Sequence, residues 1–321
     1  ESPGPSVTKL VPKVQSTAKI LYGLYLFLTV LEFILLLVGQ MPVFDSLCTV
    51  FGTAGTGGFG IKNDSFGSYS TYLQGVVTVF MILFGINFNV YFLFYMKKPK
   101  EALRCEEARW YLGIIATSIL VITFFVRDFF DSLFLAFHHV AFQVASIITT
   151  TGFATVDFNL WPTIPKTILV LLMFIGACAG STGGGIKVTT FVVLVATVVS
   201  VMFGKEDTTL NHRRIEKGTV YRALSITTVS MLVVFFATGV ILATNDHPIS
   251  AIDALFEATS AFGTVGLTAS LTPTLNWISK FVLSLTMFIG RVGPISLALA
   301  IAIKRARNKG AILPEGKIVV G

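Results

Sequence analysis

The sequence predicts an all-α integral membrane protein in which a unit of span, short helix, loop and returning span occurs three times. Three observations predict it. Of the 321 residues, 54% are hydrophobic and 13% charged, against roughly 25% charged in a soluble domain. Apolar runs of about the 20 residues that cross a bilayer recur along the chain. One short pattern also occurs three times, as Thr56-Gly57-Gly58-Phe59, Thr150-Thr151-Gly152-Phe153 and Thr264-Val265-Gly266-Leu267, each copy between two apolar runs.

The candidate spans are Ala18–Val38, Tyr72–Tyr95, Tyr111–Val126, Ala223–Thr244 and Ile278–Ile303. Ile164–Phe203 is a further stretch, about twice the length of one crossing. No signal-peptide pattern opens the chain, and Glu1-Ser2-Pro3-Gly4-Pro5 reads as a loop, so the chain is expected to begin mid-protein. Aligning Gly58, Gly152 and Gly266 gives offsets of 94 and 114 residues. On that alignment the chain divides into repeats at 1–107, 108–218 and 219–321, with units over about 17–96, 108–203 and 219–304.

The formal net charge of +7 raises nucleic acid as a partner, but its distribution points elsewhere. Lys9, Lys13 and Lys19 precede or open the first span. Lys97, Lys98, Lys100, Arg104 and Arg109 follow the second. Lys205, Arg213, Arg214, Lys217 and Arg222 form a third group, and Lys304, Arg305, Arg307, Lys309 and Lys317 end the chain. Alternating spans put these 18 of the 24 cations on one side, which the positive-inside rule makes cytoplasmic. The Thr-x-Gly loops then face outward. Trp110, Trp161 and Trp277 fall at span ends, as an aromatic belt requires. Cys48, Cys105 and Cys178 are isolated and form neither a metal spacing nor a disulfide framework.

Thr-x-Gly before an apolar residue is the wording of a potassium-channel filter strand, where backbone carbonyls replace an ion's water. A single such glycine would serve equally as a helix C-cap. Three aligned copies favour a filter, because glycine tolerates the backbone angles that turn successive carbonyls one way. The expected ion-binding residues are Thr56, Gly57, Gly58, Thr150, Thr151, Gly152, Thr264, Val265 and Gly266, with K+ held by backbone carbonyls alone. Thirteen residues before the glycines lie Asp45, His139 and Asp253. They sit near the expected N-termini of the short helices, where an acid caps free N–H groups and suits the dipole. His138 and His139 have no Cys, Asp or Glu at ligand spacing and are not read as a metal site.

The long stretch contains Gly176-Ala-Cys-Ala-Gly-Ser-Thr-Gly-Gly-Gly-Ile-Lys187. Each glycine costs about 1 kcal/mol in a helix interior, so the helix should open there. Unwound backbone at membrane depth must be buried in protein or line water, which makes a flexible loop below the filter a candidate gate. Its expected residues are Gly176, Gly180, Gly183, Gly184, Gly185 and Lys187, with Arg291 facing it. A phosphate-binding loop would need Gly-Lys adjacent, and Ile186 separates them. Arg291, a mid-span charge, is expected to bond the loop carbonyls as a latch or electrostatic barrier; a structural bond between helices also fits. Lys187 reads as part of the gate or as a side chain snorkelling to the interface. Glu32 reads as a buried structural hydrogen bond. Glu257 either sets the field near the filter or bonds neighbouring backbone.

Gly180-Ser-Thr-Gly-Gly-Gly-Ile-Lys187, Ser260-Ala-Phe-Gly-Thr-Val-Gly266 and Met287-Phe-Ile-Gly-Arg291 resemble motifs of the Trk/Ktr/HKT superfamily of potassium transporters, most closely its bacterial TrkH/KtrB-type pore subunits. The likeness covers essentially the whole chain, and Leu313–Gly321 resembles the family's C-terminus. It implies four span–pore helix–span units around a central ion pore, of which three of the expected four are present here, the family's second, third and fourth. It implies potassium uptake through a channel-like filter gated by the intramembrane loop, with K+ as transported ion and no organic cofactor. It also implies a homodimer with one pore per protomer, a cytoplasmic ring of TrkA/KtrA-type RCK regulatory subunits, and the bacterial plasma membrane. The basic inner loops would suit docking of that ring, and topology or lipid contact explains them equally. The alternative is an Na+-permeable or cation-coupled secondary transporter with discontinuous helices. Against it, the repeats share one orientation and only one span is expected to be broken. No nucleophile–base pair or metal spacing supports an enzyme.

Overall fold

The computed structural model describes residues 14–205, 207–210, 213–245 and 247–293. Lys9, Lys13, the basic group Lys304–Lys317, Leu313–Gly321 and the end of the expected last span (294–303) lie outside the described residues.

The described residues are mostly helical. In order come α1 (Val14–Val38), α2 (Val43–Ala54), α3 (Thr71–Gly85), α4 (Phe88–Tyr95), α5 (Pro99–Leu103) and α6 (Glu106–Val126). After them come α7 (Leu133–Ile148), α8 (Thr163–Ile175), α9 (Val188–Met202), α10 (Lys217–Thr244), α11 (Ala251–Gly263) and α12 (Trp277–Val292). Two-residue strands β1 (Thr209–Leu210) and β2 (Arg213–Arg214) pair antiparallel between α9 and α10. The all-α expectation is borne out.

Helices α1, α6 and α10 are each long and apolar enough to cross a membrane. Their outward faces carry large apolar side chains in the open, such as Leu26 and Phe27 on α1 and Phe235 and Phe236 on α10. Such a surface suits lipid rather than water. Helices α2, α7 and α11 have 12, 16 and 13 residues, too short for a crossing of about 20. Each lies against the span before it and the helix after it. Between units the packing repeats in one sense, α7 on α3 and α11 on α8.

The second span is not one straight helix. Helices α3 and α4 reach span length only together, and they bend by 88°. Ile86 is extended and Asn87 starts a new helix, its Oδ1 accepting from the Asn89 N–H at 2.9 Å. Gly85 lets the break pack closely, since a Cβ there would lie 2.2 Å from the Tyr111 hydroxyl. Two returning spans are therefore interrupted, α3/α4 and α8/α9, where one was expected.

The short-helix starts also differ from expectation. Asp45 and Asp253 do lie in first turns, but neither caps its helix. Asp45 accepts from the Tyr69 hydroxyl at 2.8 Å and Asp253 stands 3.6 Å from Lys166 Nζ. Desolvation and the Asp45 carboxylate both raise the Tyr69 phenol pKa, which keeps the donor protonated. Helix α7 begins six residues before His139, because Ser132 Oγ caps it by accepting from the Leu135 N–H. His139 sits mid-helix, bonded to Thr155 Oγ1 at 2.9 Å and stacked on Phe130.

The buried cores join neighbouring helices both within and across the expected units. Tyr111, Ile122, Val144, Ile147 and Met173 join α6, α7 and α8, while Val234, Ile241, Phe262 and Leu283 join α10, α11 and α12. Leu36, Val50, Phe66, Met81, Phe142 and Phe153 bind the first unit to the second. Phe66 is the staple of that joint: its ring centroid lies 4.7 Å from that of Phe153 and 5.6 Å from that of Phe142. Its N–H also donates to the Ala154 carbonyl at 2.8 Å. Phe66→Ala should cost about 3–5 kcal/mol and lower the melting midpoint of the purified protein in detergent. An unchanged midpoint would show that this loop does not hold the two units together.

Candidate functional site

Helices α2, α7 and α11 all end in one and the same turn. Thr56, Thr150 and Thr264 have φ of 49°, 59° and 56°, and Gly58, Gly152 and Gly266 have 65°, 90° and 84°. A non-glycine residue at positive φ is uncommon and costs roughly 1–2 kcal/mol, so its recurrence at three aligned threonines marks an imposed geometry. The turn is closed by six-to-one bonds. The N–H groups of Gly57, Thr151 and Val265 donate to the carbonyls of Gly52, Ser146 and Ser260 at 2.8, 2.9 and 2.9 Å. The far end of two of these Thr-x-Gly strands, which join no sheet among the described residues, is pinned by serine: Ser146 Oγ donates to the Phe153 carbonyl and Ser260 Oγ to the Leu267 carbonyl, both at 2.6 Å. Gly52 replaces serine in the first copy, where a Cβ would come within 3.0 Å of the Phe153 ring.

The three strands lie against one another. A Cβ on Gly58 would sit 1.8 Å from the Thr151 carbonyl oxygen, and one on Gly152 would sit 2.1 Å from the Val265 carbonyl oxygen. Each glycine thus makes room for the next strand's carbonyl. Gly266, by contrast, has nothing within 4 Å of its Cβ position. Among the described residues the arc is open on that side.

The glycine-rich segment between α8 and α9 packs directly beneath the strands. Its Gly184 N–H donates to Thr150 Oγ1 at 2.7 Å, and Thr56 Oγ1 donates to the Thr182 carbonyl at 3.1 Å. A Cβ on Gly184 would lie 2.6 Å from Thr264 Oγ1, a buried hydroxyl without a hydrogen-bond partner among the described residues. The loop therefore touches all three strand threonines. Gly176, Gly180 and Gly185 adopt positive φ within it, and Gly183 fits against the Thr149 carbonyl.

Lys187 does not snorkel; its Nζ turns back and donates to the Gly183 carbonyl. Arg291 is exposed near the end of α12, close enough to Lys187 for the two charges to repel. Among the described residues it makes no hydrogen bond to the loop carbonyls expected as its partners. The neighbouring Gly290 has a packing role: a Cβ there would lie 1.8 Å from the Phe262 carbonyl oxygen. Glu32 is fully buried, and neither of its oxygens makes the expected hydrogen bond among the described residues. Glu257 braces the loop after the third strand, accepting from Thr268 Oγ1 at 2.9 Å, the Ala269 N–H at 3.1 Å and Thr272 Oγ1.

Two residues at this site escaped the sequence reading. The Glu107 carboxylate accepts from the Ala179 N–H and from Asn87 Nδ2, the latter at 2.8 Å. Phe84-Gly85 before Asn87 is a shortened copy of Phe174-Ile-Gly176, where α8 ends, and of Phe288-Ile-Gly290, where α12 runs on to Val292, so the pattern alone does not mark the break. Glu107 carries no signal, since acids are ordinary in a first helical turn.

A family model described as TrkH, cation transport protein, matches residues 7–310. The Ktr system potassium uptake protein B of Bacillus subtilis is 30% identical over 288 residues, covering 87% of this chain and 64% of that protein. The Trk system potassium uptake protein TrkH of Salmonella typhimurium is 34% identical over 199 residues, 60% of this chain and 41% of that protein. The crystal structure of the potassium transporter TrkH from Vibrio parahaemolyticus matches with a TM-score of 0.80 at 25% identity, over 94% of this chain and 67% of that one. The chain thus spans between 41% and 67% of the length of these three relatives. With the family model covering nearly all of its length, the chain belongs to the TrkH family of cation transport proteins.

Proposed function

We propose that Thr56-Gly57-Gly58, Thr150-Thr151-Gly152 and Thr264-Val265-Gly266 form three quarters of a selectivity filter for potassium uptake, and that the 176–187 loop is its gate. The observation that carries this reading is the stacking of Gly58 and Gly152 on the next strand's carbonyl. Strands packed in one sense around an axis can offer rings of carbonyl oxygen in place of an ion's hydration shell. Helices α2, α7 and α11 end at these strands and bring the negative ends of their dipoles there. The unpartnered hydroxyl of Thr264 suits a cation or its water at the base. A negative-inside potential adds about 2.3 kcal/mol per charge per 100 mV to inward movement. The fourth strand, beside Gly266, comes from outside this sequence. The relatives' description as potassium uptake proteins supports K+ as the ion.

In the closed state the loop blocks the inner path by holding the threonines, with Lys187 and Arg291 adding positive charge at its inner end. The basic segments around Lys97–Arg109 and Lys205–Arg222 face the cytoplasm of a bacterial cell and dock a TrkA/KtrA-type regulatory ring. The relatives' designation as parts of Trk and Ktr systems supports such further components. The protein works as a homodimer with a pore in each protomer. A cation-coupled carrier is the second reading, favoured by the break of α3/α4 in addition to α8/α9. Collapse of the proton or sodium gradient at fixed membrane potential abolishes uptake by a carrier and spares a channel-like pore.

The test uses the full-length polypeptide in cells without their own K+ uptake. Gly152→Ser should cut Rb+ entry at least roughly tenfold or admit Na+, because a side chain enters the space of the Val265 carbonyl and the left-handed backbone is strained by about 1–2 kcal/mol. Unchanged rate and selectivity would refute the filter. Gly266→Ala should harm uptake as much as Gly58→Ala, although only Gly58 has a neighbour among the described residues. Tolerance of Gly266→Ala alone would exclude a fourth strand there. Deleting 180–185 should raise basal flux if the loop is a gate; an unchanged flux would make it a packing element.

A further inference from the structure

The glycine-rich loop is held from two sides. Above are the strand threonines. On the other side stand the α3/α4 break and the first turn of α6. The Cys178 N–H donates to the Gly85 carbonyl at 3.2 Å, the Phe88 N–H to the Gly180 carbonyl at 3.3 Å, and Thr182 Oγ1 to the Phe84 carbonyl at 3.4 Å. Glu107 joins the two elements to the loop. One carboxylate oxygen accepts from the Ala179 N–H in the loop, the other from Asn87 Nδ2 at the break. Asn87 cannot turn away freely, because its Oδ1 accepts from the Asn89 N–H at 2.9 Å. The loop passes close by it as well: a Cβ added at Gly180 would stand 3.2 Å from that same Oδ1, so only glycine fits there without a shift. Lys187 is near enough to Glu107 for attraction between their charges.

We propose that Glu107 and Asn87 are positioning residues, a clasp that holds the loop against the strands and transmits movement of the inner basic segment to it. This rests on the gate reading above. Both residues belong to the continuous segment α4–α5–α6, which carries Lys97, Lys98, Lys100, Arg104 and Arg109. The strands hang instead from α2, α7 and α11. A load on the basic side chains displaces the clasp relative to the strands, and the loop follows the clasp through Ala179 and Gly180.

The clasp has a hydrogen-bond polarity that can be reversed. Glu107→Gln sets two amide donors face to face or leaves the Ala179 N–H unpaired. Asn87→Asp sets two carboxylates together. In the double variant the new amide still accepts from Ala179 and donates to the new carboxylate, which still caps Asn89. Rb+ flux is measured on the full-length polypeptide in proteoliposomes without any cytoplasmic subunit. Each single variant should raise basal flux roughly tenfold, within the usual range of coupling between sites, and the double variant should return to near the wild-type rate.

A second readout needs no purification. Cys178 is fully buried in the loop; with every other cysteine of the polypeptide, Cys48 and Cys105 included, replaced by Ser, it should react faster with a membrane-permeant thiol reagent in the single variants and slowly in the double. Single variants with wild-type flux and labelling, or a double variant as leaky and reactive as the singles, would overturn the clasp. Deleting 180–185 separates the two ideas. Raised flux there with silent single variants removes the clasp and keeps the gate. Unchanged flux there removes the gate, while Cys178 labelling still reports whether Glu107 and Asn87 hold the loop.

Discussion

The close approach of a glycine on one strand to a carbonyl on the next is the contact on which the rest of this structure depends. At Gly58 and Gly152 the space a Cβ would need is already occupied by backbone oxygen, 1.8 and 2.1 Å away. Such packing is possible only if three helices deliver their strands at one height and in one sense. That requirement accounts for the left-handed threonines, for the serine bonds that pin two of the far ends, and for the short helices lodged between spans. It also accounts for the Phe66 staple between the first two units. The threonine hydroxyls, turned inward beneath the strands, then become the surface on which the glycine-rich loop rests.

That loop is not slack. Backbone polar groups at membrane depth have to be satisfied by protein or by water, and protein supplies partners for many of those in this loop. Besides the bonds to Thr150, Gly85 and Glu107, the Ile186 N–H donates to the Phe174 carbonyl and the Val188 N–H to the Ala177 carbonyl. The glycines supply close approach and unusual backbone angles more than looseness. Release of such a loop means an exchange of one set of hydrogen bonds for another. The elements that hold it are the α3/α4 break and the first turn of α6, to which the charged segment around Lys97–Arg104 leads.

Much of this was legible in the chain itself. Composition and the apolar runs establish the membrane class, the triple Thr-x-Gly pattern places the strands, and the five glycines between Gly176 and Gly185 place the unwound segment. What escaped depends on tertiary partners. The α3/α4 break lies inside an uncharged, largely apolar run, where Asn87 and Asn89 weigh little until Glu107 and the Asn89 amide claim the Asn87 side chain. Helix α7 starts early because Ser132 caps it, a feature the spacing alignment on His139 does not contain. Lys187 and Arg291 are long side chains whose direction is set by their surroundings; one turns into the loop, the other outward. Glu107 has the appearance of any acid at a helix start, and only the fold brings it 72 residues along the chain to Ala179.

The central claim is that these strands surround a dehydrated cation together with a fourth. It is tested most directly by a structure of the full-length polypeptide in a rubidium or thallium salt. The account predicts anomalous density on the axis, level with the carbonyls of Gly57, Thr151 and Val265, and a fourth strand against Gly266. Heavy-ion density absent from that level, or a Gly266 side still open to lipid or solvent, would contradict it.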